Sequence, residues 1–173
     1  MNLIITCARH LEQETKEELL NILEEFGDPD ANIVISDMSG IMTASTKLEP
    51  IEVVRRIKEM ILDEPWSIRY CLRIIPIQKV IETTIENIEK IIENMNEQIK
   101  SGETYRISIE KRNSDLSSKE IITKIADKIK NNVSLEFPDK VVLIEILGNR
   151  TGISILKKSD ILSVEKTKRS ISE

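Results

Sequence analysis

The feature that most constrains how this chain can fold is the way its apolar residues switch between a two-residue and a helical period. Leu3 to Cys7, LIITC, is a short apolar strand, and Glu12 to Phe26 then places Leu19, Leu20, Leu23 and Phe26 on one helical face before Gly27 supplies a stop. ANIVIS and IMTAST read as two strands joined by a turn containing Asp37, Ser39 and Gly40. Pro50 opens a second helix in which Val54, Ile57 and Ile61 recur at helical spacing, ending before Pro65. SIRYCLRIIPI alternates again, with Ile68, Tyr70, Leu72 and Ile74 on one face and Arg69, Cys71, Arg73 and Ile75 on the other. The order is βαββαβ, which predicts an antiparallel sheet with both helices on one face.

The second half uses the same periods in a different order. Ile85, Ile88, Ile92, Met95 and Ile99 form a helical stripe from about Thr84 to Ile99, closed by Ser101 and Gly102. Tyr105 to Glu110 is a strand, followed by two adjacent cations, Lys111 and Arg112. Ser117 or Ser118 then caps a helix whose buried face is Ile121, Ile122, Ile125 and Ile129. SLEFPD is a short segment stopped by Pro138. KVVLIEILGNRTGISILKK reads as a long hairpin, with Val141 to Leu147 apolar enough for a central strand and Gly148 and Gly152 bounding the loop. From Ser159 the periodicity is weak and the residues include a basic cluster, Lys166, Lys168 and Arg169, expected to form a mobile tail.

Composition agrees with a globular α/β chain. Hydrophobic residues make up 40% of its 173 residues but aromatic ones only 3%, so Ile, Leu and Val must fill the core. No apolar run approaches the roughly 20 residues that cross a bilayer, and MNLIITCARH has neither the basic region nor the cleavage site of a signal peptide, so a cytoplasmic protein with no membrane partner is expected. Charge is uneven. Before Trp66 there are 6 Lys and Arg against 14 Asp and Glu, and from Trp66 onward 19 against 16, a net of −8 followed by a net of +3. A polyanion would therefore meet the second half.

Few parts of an enzyme are visible. All five glycines fit turns or caps, which leaves none for GxGxxG or a phosphate-binding loop, and no nucleotide cofactor is expected. His10 is the only histidine and stands in no carboxylate-histidine-nucleophile pattern, so no catalytic residue and no metal site are expected. Cys7 and Cys71 have apolar neighbours and read as reduced core cysteines. The pairs Glu17-Glu18 and Glu24-Glu25 read as a solvated helix face or a surface for a basic partner.

RIIPI at Arg73 to Ile77, a helix, YRISIEKRNS at Tyr105 to Ser114, SSKEI, and FPDKVVLIEILGNRTGISIL together resemble a THUMP domain, the tRNA-binding module of several RNA-modifying enzymes. The preceding βαββαβ unit resembles the N-terminal ferredoxin-like domain that accompanies it. The chain is similar to stand-alone THUMP adaptors of tRNA cytidine acetyltransferases. The resemblance implies an α/β (α+β) protein with a ferredoxin-like domain over residues 1–68, a THUMP domain over 69–158 and a basic tail over 159–173. It further implies a non-enzymatic tRNA-binding adaptor that recognises the acceptor stem and 3′ end, with an acetyltransferase partner. A protein-interaction module with little RNA binding is the alternative.

The residues implied for RNA contact are Lys111, Arg112, Ser117, Lys119, Arg150, Lys157, Lys158 and Arg73. Lys111 and Arg112 are expected near the N-terminus of the following helix, where unpaired backbone N–H groups also favour anions. As strand-end cations they would otherwise only solvate the strand, and their removal is expected to change stability by no more than roughly 0.5 kcal/mol. Arg69 and Arg73, sharing a face with Cys71, fit an interdomain ion pair as well as RNA contact. Asn113 stands where the family often carries a further arginine.

Overall fold

The computed structural model describes residues 1–172, which form two compact units: Met1–Ile77 together with the residues from Ser159 onward, and Gln78–Lys158. In chain order the first unit contains β1 (Leu3–Cys7), α1 (Glu12–Glu25), β2 (Asn32–Ile35), β3 (Ile41–Ser45), α2 (Pro50–Asp63) and β4 (Cys71–Pro76). The second contains β5 (Lys79–Glu82), α3 (Ile85–Met95), β6 (Tyr105–Arg112), α4 (Ser118–Ala126), β7 (Lys140–Leu147) and β8 (Arg150–Leu156). The chain then returns to the first unit with β9 (Leu162–Ser163) and α5 (Val164–Arg169).

The sheet of the first unit has the order β2-β3-β1-β4-β9 and every pair in it is antiparallel. Alternation along β1 sends Leu3 and Ile5 into one core with Leu19 and Leu23 of α1 and Val53, Val54, Ile57 and Ile61 of α2. The βαββαβ order and the antiparallel sheet thus appear as the period switches predict. α1 ends on Gly27, whose φ of +110° suits a residue without Cβ; its N–H donates to Glu24 O while the N–H of Asp28 reaches Leu23 O at 2.8 Å, a Schellman cap. α2 starts on Pro50 beneath the Glu49 carboxylate, which accepts from the N–H groups of Ile51 and Glu52. Asp28, almost fully buried, accepts from Thr46 Oγ1 at 2.5 Å and from the N–H of Lys47 at 2.9 Å, tying the loop after α1 to the loop after β3.

Three expectations change here. The alternation from Ile68 to Ile75 is interrupted, because Thr6 lies opposite Arg73 and Cys7 opposite Cys71, so that Leu72 is an extra residue on β4. Cys71 and Ile74 therefore share the core while Leu72 is exposed. The residues before the strand are not extended ladder either: the N–H groups of Arg69, Tyr70 and Cys71 converge on the carboxylate of Glu18, at 2.5 to 3.2 Å, which makes Glu18 a structural acceptor and not a free surface acid. Finally, the basic tail is folded. β9 pairs with β4 through Leu162 opposite Ile74, and Leu162 and Val164 lie in the first core. The first unit accordingly extends through Pro76 to Ile77 and takes in residues 159 onward, where the sequence suggested a break after residue 68 and a separate tail.

The second unit has a four-stranded sheet of order β5-β8-β7-β6, in which β6 and β7 are parallel and the other pairs antiparallel. Ile88, Ile92 and Met95 of α3 and Ile121 and Ile125 of α4 pack with Val142, Ile144, Ile146, Ile153 and Ile155. The helical stripe that reads as continuous to Ile99 ends as α-helix at Met95 and passes through a 3-10 turn, Asn96–Gln98. β5 is too short to be seen in the sequence. Gly152, expected at the hairpin loop, is inside β8 opposite Glu145, and the loop itself is the two residues Gly148 and Asn149. Gly148 has φ +62° and Asn149 does not share the positive sign, the pattern of a II′ turn.

Candidate nucleic-acid interface

β6 runs two residues beyond Glu110, so Lys111 and Arg112 are the last residues of the strand. The chain then turns at Asn113, whose φ of +55° is a left-handed conformation that asparagine tolerates better than arginine would. Ser114 Oγ accepts from the N–H of Leu116, and Lys111 Nζ donates to Leu116 O at 2.7 Å, closing the loop. Ser117 caps α4, its Oγ accepting from the N–H of Glu120 at 3.2 Å, and exposed Lys119 lies in the first helical turn. The N–H of Gly148 donates to Arg112 O at 2.9 Å, which draws the β7–β8 turn to the same edge. Arg150 opens β8 there, exposed and opposite Leu147.

Lys111, Ser117, Lys119 and Arg150 are therefore brought to one edge of the sheet, at the carboxyl ends of the parallel strands β6 and β7. Open α/β sheets characteristically place ligands at such ends. Three cationic side chains, Lys111, Lys119 and Arg150, and the N–H groups of the first turn of α4 stand at this edge beside the carboxylates of Asp115, Glu120 and Glu82, a set of donors that suits a phosphate. Lys111 still has donor capacity after its bond to Leu116 O, since an ammonium carries three N–H groups.

Arg112 differs from the free cation expected at a strand end. In the parallel register it stands opposite Leu147 and Glu110 opposite Glu145, so its side chain shares a face with Glu145. Arg112 Nη1 donates to Glu145 Oε2 at 3.3 Å, with the arginine side chain 30% exposed and the glutamate almost fully buried. The guanidinium answers a buried carboxylate, and its removal disturbs more than surface charge. Sequence reasoning missed this because Glu145 sits in an almost continuous apolar run that gives no sign of a partner 33 residues away.

Lys157 and Lys158 follow the far end of β8. Arg150 to Lys157 is seven steps along extended chain, about 24 Å at ~3.4 Å per residue, so this pair belongs to the opposite edge of the sheet. Arg73 lies in the first unit, half-buried in β4 opposite Thr6 and Ser163. At the Lys157 edge, the loop before β7 exposes Phe137 and Leu135 strongly, and Arg106 Nη1 donates to Leu135 O at 3.3 Å. Tyr105, by contrast, is buried, and Phe26 is covered by the Arg56 guanidinium at 4.0 Å from the ring centre. Among the described residues no group of three His, Cys, Asp or Glu could hold a metal ion, and no helix is long and apolar enough to cross a membrane.

The family model of the THUMP domain matches residues 82–156, all within the second unit. Lys111, Arg112, Ser117, Lys119 and Arg150 all lie inside the matched residues. An uncharacterized protein of Methanocaldococcus jannaschii, MJ0421, is 32% identical over 106 residues, covering 58% of this chain and 29% of its own length. Among solved structures, PH1313 from Pyrococcus horikoshii is 18% identical, with a TM-score of 0.64 over 91% of this chain and 55% of that one. TrmN from Thermus thermophilus is 12% identical with a TM-score of 0.59, over 90% of this chain and 45% of that one. A 4-thiouridine synthetase, solved with RNA and bound ATP, is 12% identical with a TM-score of 0.58, over 91% of this chain and 42% of that one. At these identities the structures share the fold, and in each case the chain spans little more than half of the similar protein or less.

Proposed function

We propose that this chain binds tRNA and presents it to a catalytic unit that carries out a modification, without performing the chemistry itself. The observation that carries this reading is the cationic edge at Lys111, Arg150 and the first turn of α4, which falls within the THUMP match. Phosphates placed there meet side-chain cations and backbone N–H groups together, which favours recognition through backbone and shape. The resemblance to stand-alone adaptors adds two finer elements: the RNA is held by its acceptor stem and 3′ end, and the catalytic unit is a cytidine acetyltransferase. The similarity of fold to TrmN and to a thiouridine synthetase solved with RNA supports a role in tRNA modification in general.

The test is a titration of labelled tRNA at two salt concentrations, repeated with tRNA trimmed at its 3′ terminus. Affinity falls steeply with salt in this reading, and trimming weakens it. Absence of binding at low salt would favour a protein-interaction module with little RNA binding, and undiminished affinity for trimmed tRNA would remove the 3′ end from the recognised features.

A further inference from the structure

One irregularity of the first sheet lies outside the RNA-binding reading. Were β4 to alternate without interruption from Ile74, Leu72 would face the core opposite Cys7 and Cys71 would point away from it. The extra residue reverses this, leaving Leu72 exposed and Cys71 directly opposite Cys7. Both cysteine side chains belong to the first core, so the two thiols lie on one face of the sheet. The backbone of Cys7 is engaged on its other side. Its N–H donates to Gly40 O at 2.9 Å, and its carbonyl oxygen faces the same way, since a Cβ at Gly40 would come within 2.6 Å of it. The N–H of Cys71 donates to Glu18 Oε2 at 3.0 Å. Neither N–H is directed at the other cysteine, which marks a non-hydrogen-bonded pair.

Residues opposed in this way have Cα atoms about 4.5 Å apart and the closer side chains of an antiparallel ladder, a separation within the roughly 4.4–6.8 Å that a disulfide spans. Both cysteines are free thiols in the structure, and the chain has no other cysteine to compete for either. We propose that Cys7 and Cys71 form a disulfide site, at which two-electron oxidation by a small-molecule disulfide joins β1 to β4 covalently. Cys7 is the more accessible of the two, 7% exposed against 2%. Its thiolate attacks one sulfur of the oxidant and expels one thiol; the Cys71 thiolate then attacks Cys7 Sγ and expels the second. The pair gives up two electrons, the oxidant takes them, and the two cysteine protons leave on the two released thiols. The site lies in the first unit, outside residues 82–156, and is independent of the RNA-binding reading.

Trypsin cleaves after Arg9, Arg69 and Arg73, so the two cysteines fall in separate short peptides, Met1–Arg9 and Tyr70–Arg73, which only a disulfide joins. The full chain is incubated with oxidised glutathione in urea just below its unfolding midpoint, where molecules open and reclose repeatedly, until the thiol count stops changing. The expected product is monomeric, has lost two hydrogen atoms by intact mass, and yields the joined pair of peptides. Freed of urea, it melts higher than the reduced chain by roughly 5 °C or more, because the bond closes a long loop in the unfolded state. Dithiothreitol returns both the mass and the melting temperature to those of the reduced chain. Cys7→Ala and Cys71→Ala, treated in the same way, yield no joined peptides and no upward shift. The proposal is overturned if both thiols remain free at equilibrium, if glutathione adducts or chain-to-chain dimers form in place of the joined peptides, or if the oxidised chain melts no higher than the reduced one. Loss of tRNA binding in the titration above leaves all of these readouts intact.

Discussion

Arg112 donates from Nη1 to the Oε2 of Glu145 across 3.3 Å, joining the last residue of β6 to a carboxylate that is 1% exposed. Replacing Arg112 by Ala withdraws that bond from a buried acceptor. The expected cost is about 1–3 kcal/mol, kept below that of a fully dry ion pair by the partial exposure of the guanidinium. Lys111→Ala, which loses one exposed bond to Leu116 O, changes stability by about 0.5 kcal/mol. Urea denaturation separates the two, and a parental midpoint for Arg112→Ala would contradict the role assigned to the pair.

If the chain binds RNA as proposed, the two edges of the second sheet contribute differently. Removing Lys111 and Arg150 together takes two cations from the edge that also presents the first turn of α4. On duplex RNA contacts the slope of log affinity against log salt then shrinks by about 1.8, at about 0.9 for each lost phosphate. Removing Lys157 and Lys158 changes it by less. Equal slopes for the two double variants would mean that the helix terminus plays no part in placing the RNA.

Asp28 supplies a pH dependence. Its bonds from Thr46 Oγ1 and from the N–H of Lys47 hold its carboxyl below the usual aspartate range. A depressed folded-state value means that the stabilisation is present above the unfolded value of about 3.9 and is lost as pH falls through the folded one. Asp28→Asn lowers the melting temperature at neutral pH, and the gap between variant and parent narrows on acidification below about pH 4. Melting curves at several pH values check this; a gap independent of pH would assign the effect to packing alone.

Cys7 and Cys71 face one another across β1 and β4, and both are buried. Burial raises both thiol pKa values, and the Glu18 carboxylate adds to the rise at Cys71. Alkylation at neutral pH is therefore slow for the folded protein and rapid in denaturant. Fast labelling of either thiol without denaturant would show that the pairing of β1 with β4 opens readily.

Both cores could largely be read from periodicity, because Leu3, Ile5, Leu19, Val54 and Ile57 in one unit, and Ile88, Ile92, Ile121 and Ile125 in the other, follow strand or helix spacing, although Ile122, expected on the buried face of α4, is exposed. What escaped depends on partners distant in sequence. Glu18 looks like any surface glutamate until the amides of residues 69–71 arrive beside it. Leu72 fits the alternation of its neighbours, and only the register against β1 shows it to be surplus. Leu162 and Val164 sit in a segment too short for a period to emerge. At the candidate interface, the caps and cations were legible as local signals. The opposition of Lys157 to Arg150 was not, because it follows from the direction of β8.

The return of β9 and α5 to the first sheet makes the second unit an insertion within the first. During synthesis, residues 1–77 leave the ribosome with the outer edge of β4 unpaired and with two positions of their core, those of Leu162 and Val164, still to be made. The whole of the second unit must be translated before they arrive. The second unit is contiguous and can close its core first, whereas the first waits with an open strand edge, the kind of surface that invites wrong pairing. Residues translated after the second unit are thus the ones that finish a sheet begun before it.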